Sequence, residues 1–243
     1  MVLAALAVAV FFAAAVRGAT GFGFSLIAAL VLSTHYSAAS ASSIVLMLDL
    51  AATGLMMRGG ALAGLDRREA LHVGVFALIG ALAGVLLLKV LPERPALIGL
   101  NLAVLVSALA ALAKVRSRFL EGPTAAVIAA FLTGAMIGAF SVGGTLIVAW
   151  LVASGRSPAR SIALLTVVFA CTDTATLAFR MALGVLPAES VLPTLMLLPI
   201  VALGIYAGRH LFGWLSPAGW KRLVACILVA LALGSLARTL SLA

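Results

Sequence analysis

The chain has 243 residues, of which 65% are hydrophobic and only 9% charged. So little polar surface cannot face water around a globule, and the composition is that of an integral membrane protein. The net charge of +9 does not argue for nucleic acid, because Lys and Arg stand singly or in small groups between apolar runs instead of forming one stripe.

Apolar segments follow one another at 2–17, 24–34, 38–57, 69–91, 96–114, 124–141, 144–154, 159–179, 190–210 and 220–240. The opening Met1-Val2-Leu3-Ala4 has no basic region before its apolar stretch, so residues 1 to 16 are expected to remain as a helix and not to be cleaved as a signal. A helix needs about 20 residues to cross the hydrocarbon. The segments at 24 and 144 are therefore half-length, and each follows a glycine break. Cys171 and Cys226 lie inside apolar spans and read as small buried residues. Trp150, Trp214 and Trp220 fall near span ends, where indoles anchor at the headgroups. His35, His72 and His210 are scattered without metal spacing, and no cofactor motif is evident.

The glycine breaks are copies of each other. Residues 18–29, Gly-Ala-Thr-Gly-Phe-Gly-Phe-Ser-Leu-Ile-Ala-Ala, return 120 positions later as Gly-Ala-Phe-Ser-Val-Gly-Gly-Thr-Leu-Ile-Val-Ala, with six of twelve positions identical. Further on, Asp49 matches Asp173 and Gly80/Gly84 match Gly204/Gly208, all at a spacing of 124. Two repeats are expected, 1–115 and 123–243, joined by a cationic linker at 116–122.

Cationic loops choose between four and five segments per repeat, since Lys and Arg collect on the cytoplasmic side. Four segments divide the loop cations eight against seven; five divide them eleven against four, the four being Lys89, Arg94, Arg180 and Arg238. The sequence thus predicts an all-α polytopic protein with five helical segments per repeat and both termini outside. An odd number inverts the second repeat in the membrane, so that two hairpins enter from opposite faces and their glycine tips meet at mid-membrane.

Glycine lets backbone N–H groups approach a ligand, and a helix that starts after the tip presents its positive end, which suits an anion. The candidate binding set is Arg17, Gly18, Thr20, Gly21, Gly23 and Ser25 at the first tip, with Ser141, Gly143, Gly144 and Thr145 at the second. The alternative is that the glycines only let helices cross closely, the reading preferred for Gly80, Gly84, Gly134, Gly138, Gly204 and Gly208. Asp49 and Asp173 lie well inside apolar helices, where an ionised carboxylate costs roughly 2.5–3.5 kcal/mol on insertion scales; they read as a proton-coupling pair or as structural hydrogen-bonding groups. Arg17 either offers a fork to a sulfonate-like or carboxylate group, snorkels to an interface, or pairs with Asp49.

With these residues in view, the chain resembles the sulfite exporter TauE/SafE family. The likeness rests on Gly18-x-x-Gly21-x-Gly23 and Gly138-x-x-x-x-Gly143-Gly144, each followed by a short apolar helix and then by a small-residue helix start, Ser37-Ala38-Ala39-Ser40 or Ser157-Pro158-Ala159-Arg160. It implies a carrier, by family an exporter, of sulfite, organosulfonates or related small anions in a bacterial inner membrane. Its partners would be the anion, the lipid bilayer and a coupling proton, with homo-oligomerisation left open. Phe22 and Phe24 stand where family members often carry more glycine; they either narrow the pocket or meet an apolar part of the substrate. Two other classes compete. An anion channel would use the same tips as pore lining. An intramembrane enzyme with Ser141 as nucleophile is opposed by the lack of Gly-x-Ser-x-Gly spacing and of a nearby His. A carrier of the drug/metabolite superfamily would usually have cytoplasmic termini.

Overall fold

The computed structural model describes residues 2–21, 23–57, 65–112, 122–153 and 158–211, and singly Val229, Leu233 and Ala237. Every long element among them is a helix: α1 Val2–Thr20, α2 Phe24–Leu32, α3 Ala38–Met56, α4 Arg67–Val90, α5 Glu93–Leu112, α6 Pro123–Phe140, α7 Gly144–Ala153, α8 Pro158–Ala182 and α9 Val191–Leu211, with a 3-10 turn at Ala188–Ser190. Five stretches are long and apolar enough to cross a membrane, in α3, α4, α6, α8 and the 3-10 turn with α9. The predicted segment at 220–240 and the linker at 116–122 fall largely outside the described residues, as do Cys226, Trp214 and Trp220.

The two glycine breaks turn the backbone in similar ways. Helix α1 stops where Gly21 turns to φ 84° and returns its N–H to the Arg17 carbonyl at 2.7 Å; α6 stops where Ser141 turns to φ 57° and returns its N–H to Ile137 at 2.8 Å. Each is a left-handed C-terminal cap, a position that glycine occupies without strain and a serine does not. Two residues on, Gly23 at φ 94° and Gly143 at φ 137° swing the chain into the short helices. The half-length segments are thus real helices of 9 and 10 residues, and α2 is buried along nearly its whole length.

Helices α1 and α9 pack closely together, as do α4 and α6. Both seams are made of small residues, and their contacts exchange between the halves. A Cβ on Gly80 would meet the Phe131 carbonyl and one on Gly84 the Ala135 carbonyl; on Gly204 and Gly208 it would meet those of Phe11 and Ala15. From the other side, Gly138 lies on Ala81 and Gly18 on Ile205. Without a hydrophobic force between helices in lipid, such backbone proximity is what holds them. The outward faces carry large apolar residues, such as Leu71, Val75, Ile79 and Leu86 on α4.

Two expectations are corrected. Trp150 is buried in an apolar cluster with Ile147, Leu151 and Leu164 and does not face outward as a lipid anchor would, because it lies on a short helix enclosed by α5, α6 and α8. Cys171 is exposed, since it sits on the α8 face opposite the buried Thr172, Asp173 and Thr176.

At the start of α4, Asp66 caps the helix by accepting from the N–H groups of Arg68 and Glu69 at 3.0 and 3.2 Å. Its carboxyl is held below the ordinary value of 3.8, first by the Glu69 N–H and then, against desolvation, by the Arg68 N–H and by Arg160, whose guanidinium bonds to both Asp66 and Glu69 at 2.8 Å. A depressed folded-state value means that the stabilisation is full above 3.8 and is lost as pH falls through the lower folded value. Asp66→Ala should therefore lower the thermal unfolding midpoint of the detergent-solubilised protein at neutral pH. The difference from wild type should shrink below pH 3.8, and a pH-independent difference would contradict this account. Gly84→Val should destabilise by about 1–3 kcal/mol through overpacking, since its Cβ would lie 2.1 Å from the Ala135 carbonyl oxygen. Gly54→Ala, with open space around it, should stay within about 0.5 kcal/mol of wild type in the same assay.

Candidate functional site

The two tips converge on one narrow cavity. The first supplies Arg17, Gly23 and Ser25, the second Ile137, Ser141 and Gly144; α3 adds Asp49, and α8 adds Phe169 and Asp173. Gly144 has a local reason to be glycine, because a Cβ there would run into the Phe169 ring at 2.8 Å. Gly18, Gly21 and Gly143 shape the tips without lining the cavity: Gly18 lies on the Ile205 backbone, and Gly143 on Met136 and the Thr133 carbonyl. The side chains of Thr20 and Thr145 lie outside the described residues.

Arg17 sits in the last turn of α1, 3% exposed. Its Nη1 makes an ion pair with Asp49, and its Nη2 donates to Thr53 Oγ1 at 2.5 Å. Thr53 in turn donates to the Asp49 carbonyl at 2.9 Å. Asp49 and Thr53 stand one helical turn apart on α3, so a single face of that helix holds both arms of the guanidinium. The Phe169 ring lies 6.0 Å beneath it, at the outer limit of a cation–π contact. Of the three readings of Arg17, pairing with Asp49 is the one realised in this conformation.

Asp173 is 2% exposed and its Oδ2 has no hydrogen-bond partner among the described residues. The matched aspartates therefore differ: Asp49 is neutralised by Arg17, while Asp173 faces the same cavity without a cation of its own. The cavity holds about 10 Å³, the space of roughly one water molecule. The conformation is closed around its centre. No group of three or more His, Cys, Asp or Glu that could hold a metal occurs among the described residues.

A second buried cation was not anticipated. Arg180, placed among the outside loops by the charge count, lies two residues before the end of α8 and is fully buried. Its Nη1 donates to Ser42 Oγ and Ser43 Oγ, each at 2.9 Å, and its Nη2 to the carbonyls of Gly138 at 2.8 Å and Ala139 at 3.2 Å and to Ser141 Oγ at 3.4 Å. The available signal was spacing: Thr172, Thr176 and Arg180 recur every fourth residue and form one polar stripe on a helix, and all three are buried.

A model of the family described as sulfite exporter TauE/SafE matches residues 6–235, nearly the whole chain. The chain belongs to the sulfite exporter TauE/SafE family. No curated protein and no solved structure matches it. TauE/SafE proteins are membrane transporters, and this chain, with its five apolar membrane-length stretches, is an integral membrane protein.

The two aspartates should respond differently to neutralisation. Asp49→Asn leaves Arg17 buried without its partner, a loss of about 3–5 kcal/mol for pairs of this kind. Asp173→Asn removes a carboxylate that no cation pairs, and should leave stability unchanged or slightly raised. Thermal unfolding of the two variants in detergent checks the order; equal losses would contradict the asymmetry.

Proposed function

We infer that this protein is a secondary carrier for a small sulfur-containing or organic anion, such as sulfite or an organosulfonate, and that the site between the two glycine tips binds it in step with a proton. The observation that carries the reading is the meeting of both tips, Arg17, Asp49 and Asp173 around one cavity. The exchanged contacts, α1 on α9 and α4 on α6, support an inverted relation between the halves, and the bias of loop cations supports cytoplasmic placement of the more basic side. Export follows from the family's description.

Charge balance supplies the coupling. With Arg17 and both carboxylates ionised, the groups lining this cavity carry a net negative charge before any substrate enters. Like charges about 4 Å apart repel by about 4 kcal/mol at an effective dielectric of 20, enough to weaken anion binding by about a thousandfold. A proton on Asp173 removes that repulsion and leaves the Arg17–Asp49 pair intact. Asp173 is thus the proton-carrying member of the pair, and Asp49 the member that holds Arg17. A cavity with room for about one water favours a carrier over a channel, because an anion the size of sulfite passes only if the tips part.

Uptake of labelled sulfite and of a small organosulfonate into liposomes containing the purified protein, with and without an imposed pH gradient, tests the reading. Saturable uptake that the gradient stimulates is expected, with Asp173→Asn losing the stimulation while remaining folded. Ohmic current without saturation would point to a channel, and no flux of either anion through folded protein would remove the proposed substrate class.

A further inference from the structure

The two tips differ in how their charge is arranged. At the first, Arg17 belongs to the tip's own helix and is neutralised by a carboxylate. The second has Ile137 at the equivalent place, yet it too is met by a buried guanidinium, that of Arg180, reaching over from α8. No carboxylate touches Arg180 among the described residues. Its partners are two backbone carbonyls at the end of α6 and three serine hydroxyls. The carbonyl end of a helix offers about half a unit of negative charge, so part of the charge on Arg180 stays unbalanced. Its Nε–H is buried and has no acceptor among the described residues, leaving one donor of the guanidinium unfilled, so an anion on the Nε–Nη2 edge would take that donor and displace a carbonyl or serine oxygen from Nη2.

The surroundings are suited to an oxoanion. A guanidinium edge pairs with two oxygens on one central atom, which sulfite and sulfonates both present. Each hydroxyl that accepts from Arg180 keeps a proton it can turn toward an anion; at present Ser141 gives its proton to the Ser42 carbonyl at 2.6 Å and Ser42 gives its own to Ala39 at 3.2 Å. Ser141 also lines the central cavity, so one residue joins the two places. An anion at Arg17 must displace a carboxylate, whereas at Arg180 it displaces only neutral oxygens, a much weaker competitor.

Building on the carrier reading above, we propose that Arg180, with Ser42, Ser43 and Ser141, forms an oxoanion subsite of the transport path, entered from the central cavity past Ser141. The anion's oxygens lie against the guanidinium edge, and its charge completes the balance that the end of α6 supplies only in part. The alternative is a purely structural role, in which Arg180 caps α6 and ties it to α3.

Equilibrium binding of labelled sulfite and of labelled methanesulfonate to the purified full-length protein in lipid nanodiscs separates the two, with thermal unfolding measured on the same samples. Arg180→Lys keeps the charge and loses the planar fork, and should weaken sulfite binding about tenfold. Ser43→Ala, which removes one hydroxyl and leaves the guanidinium, should weaken it by about threefold to tenfold, and Arg180→Gln should abolish it. Lys and Ala variants that unfold earlier yet bind sulfite as tightly as wild type would overturn the subsite and leave Arg180 a helix cap, with the carrier reading intact if wild type still takes up sulfite. If wild type neither binds nor transports either anion, the carrier reading falls and the subsite with it. Should Arg180→Gln fail to fold, the Arg180→Lys and Ser43→Ala affinities decide.

Discussion

A helix that ends inside protein leaves N–H and C=O groups that only neighbouring protein groups or enclosed water can meet. The rest of the structure follows from two such stops, at Thr20 and Phe140. Each broken end turns its chain through a left-handed residue, and the short helix that follows is sealed on its sides by neighbours. The seams that seal it need helices at backbone distance, which explains glycines on both surfaces of the α4–α6 contact. The same enclosure that solves the backbone problem provides a low-dielectric chamber in which a few polar side chains act strongly.

Inside that chamber the ionisable groups are handled in three ways. Arg17 and Asp49 cancel each other and are braced by Thr53. Among the described residues Asp173 has no ion-pair partner and its Oδ2 has no hydrogen bond, which is the ground for proposing it as the proton-carrying group. Arg180 is surrounded by neutral oxygens and by the end of a helix. In the proposed cycle these differences matter: a pair already neutral suits a shut site, while partly unbalanced groups would gain from an anion bound when the site opens.

Much of the architecture was legible in the sequence because periodic features survive in one dimension. Glycine at 18, 21 and 23 against 138, 143 and 144 marked both tips, and the short runs after them marked both half-helices. The repeat also paired Asp49 with Asp173, and both line the cavity with Ser25 and Ser141. What the repeat could not show lay across helices. Arg17 was open to three partners until α3 was placed beside it. Arg180 reads as a loop cation because it stands just past the apolar run at 159–179; that its side chain turns inward depends on α6 ending where its carbonyls need a donor. Trp150 differs for a related reason: it falls near a segment end, where an indole facing lipid would anchor, but its short helix is enclosed by α5, α6 and α8.

The interlocked seams also set an order of assembly. Gly18 rests on Ile205, a contact spanning most of the chain, so at synthesis rates of about 5–20 residues per second the first helix waits roughly 10–40 s for the surface that will cover it. Asp49 follows Arg17 by only 32 residues and emerges within roughly 2–6 s at the same rates. The ion pair therefore bears on biogenesis as well as on the finished protein: a partner for the arginine is made early, so the helix that bears it can be discharged by its near neighbour before the distant half of the molecule has been made.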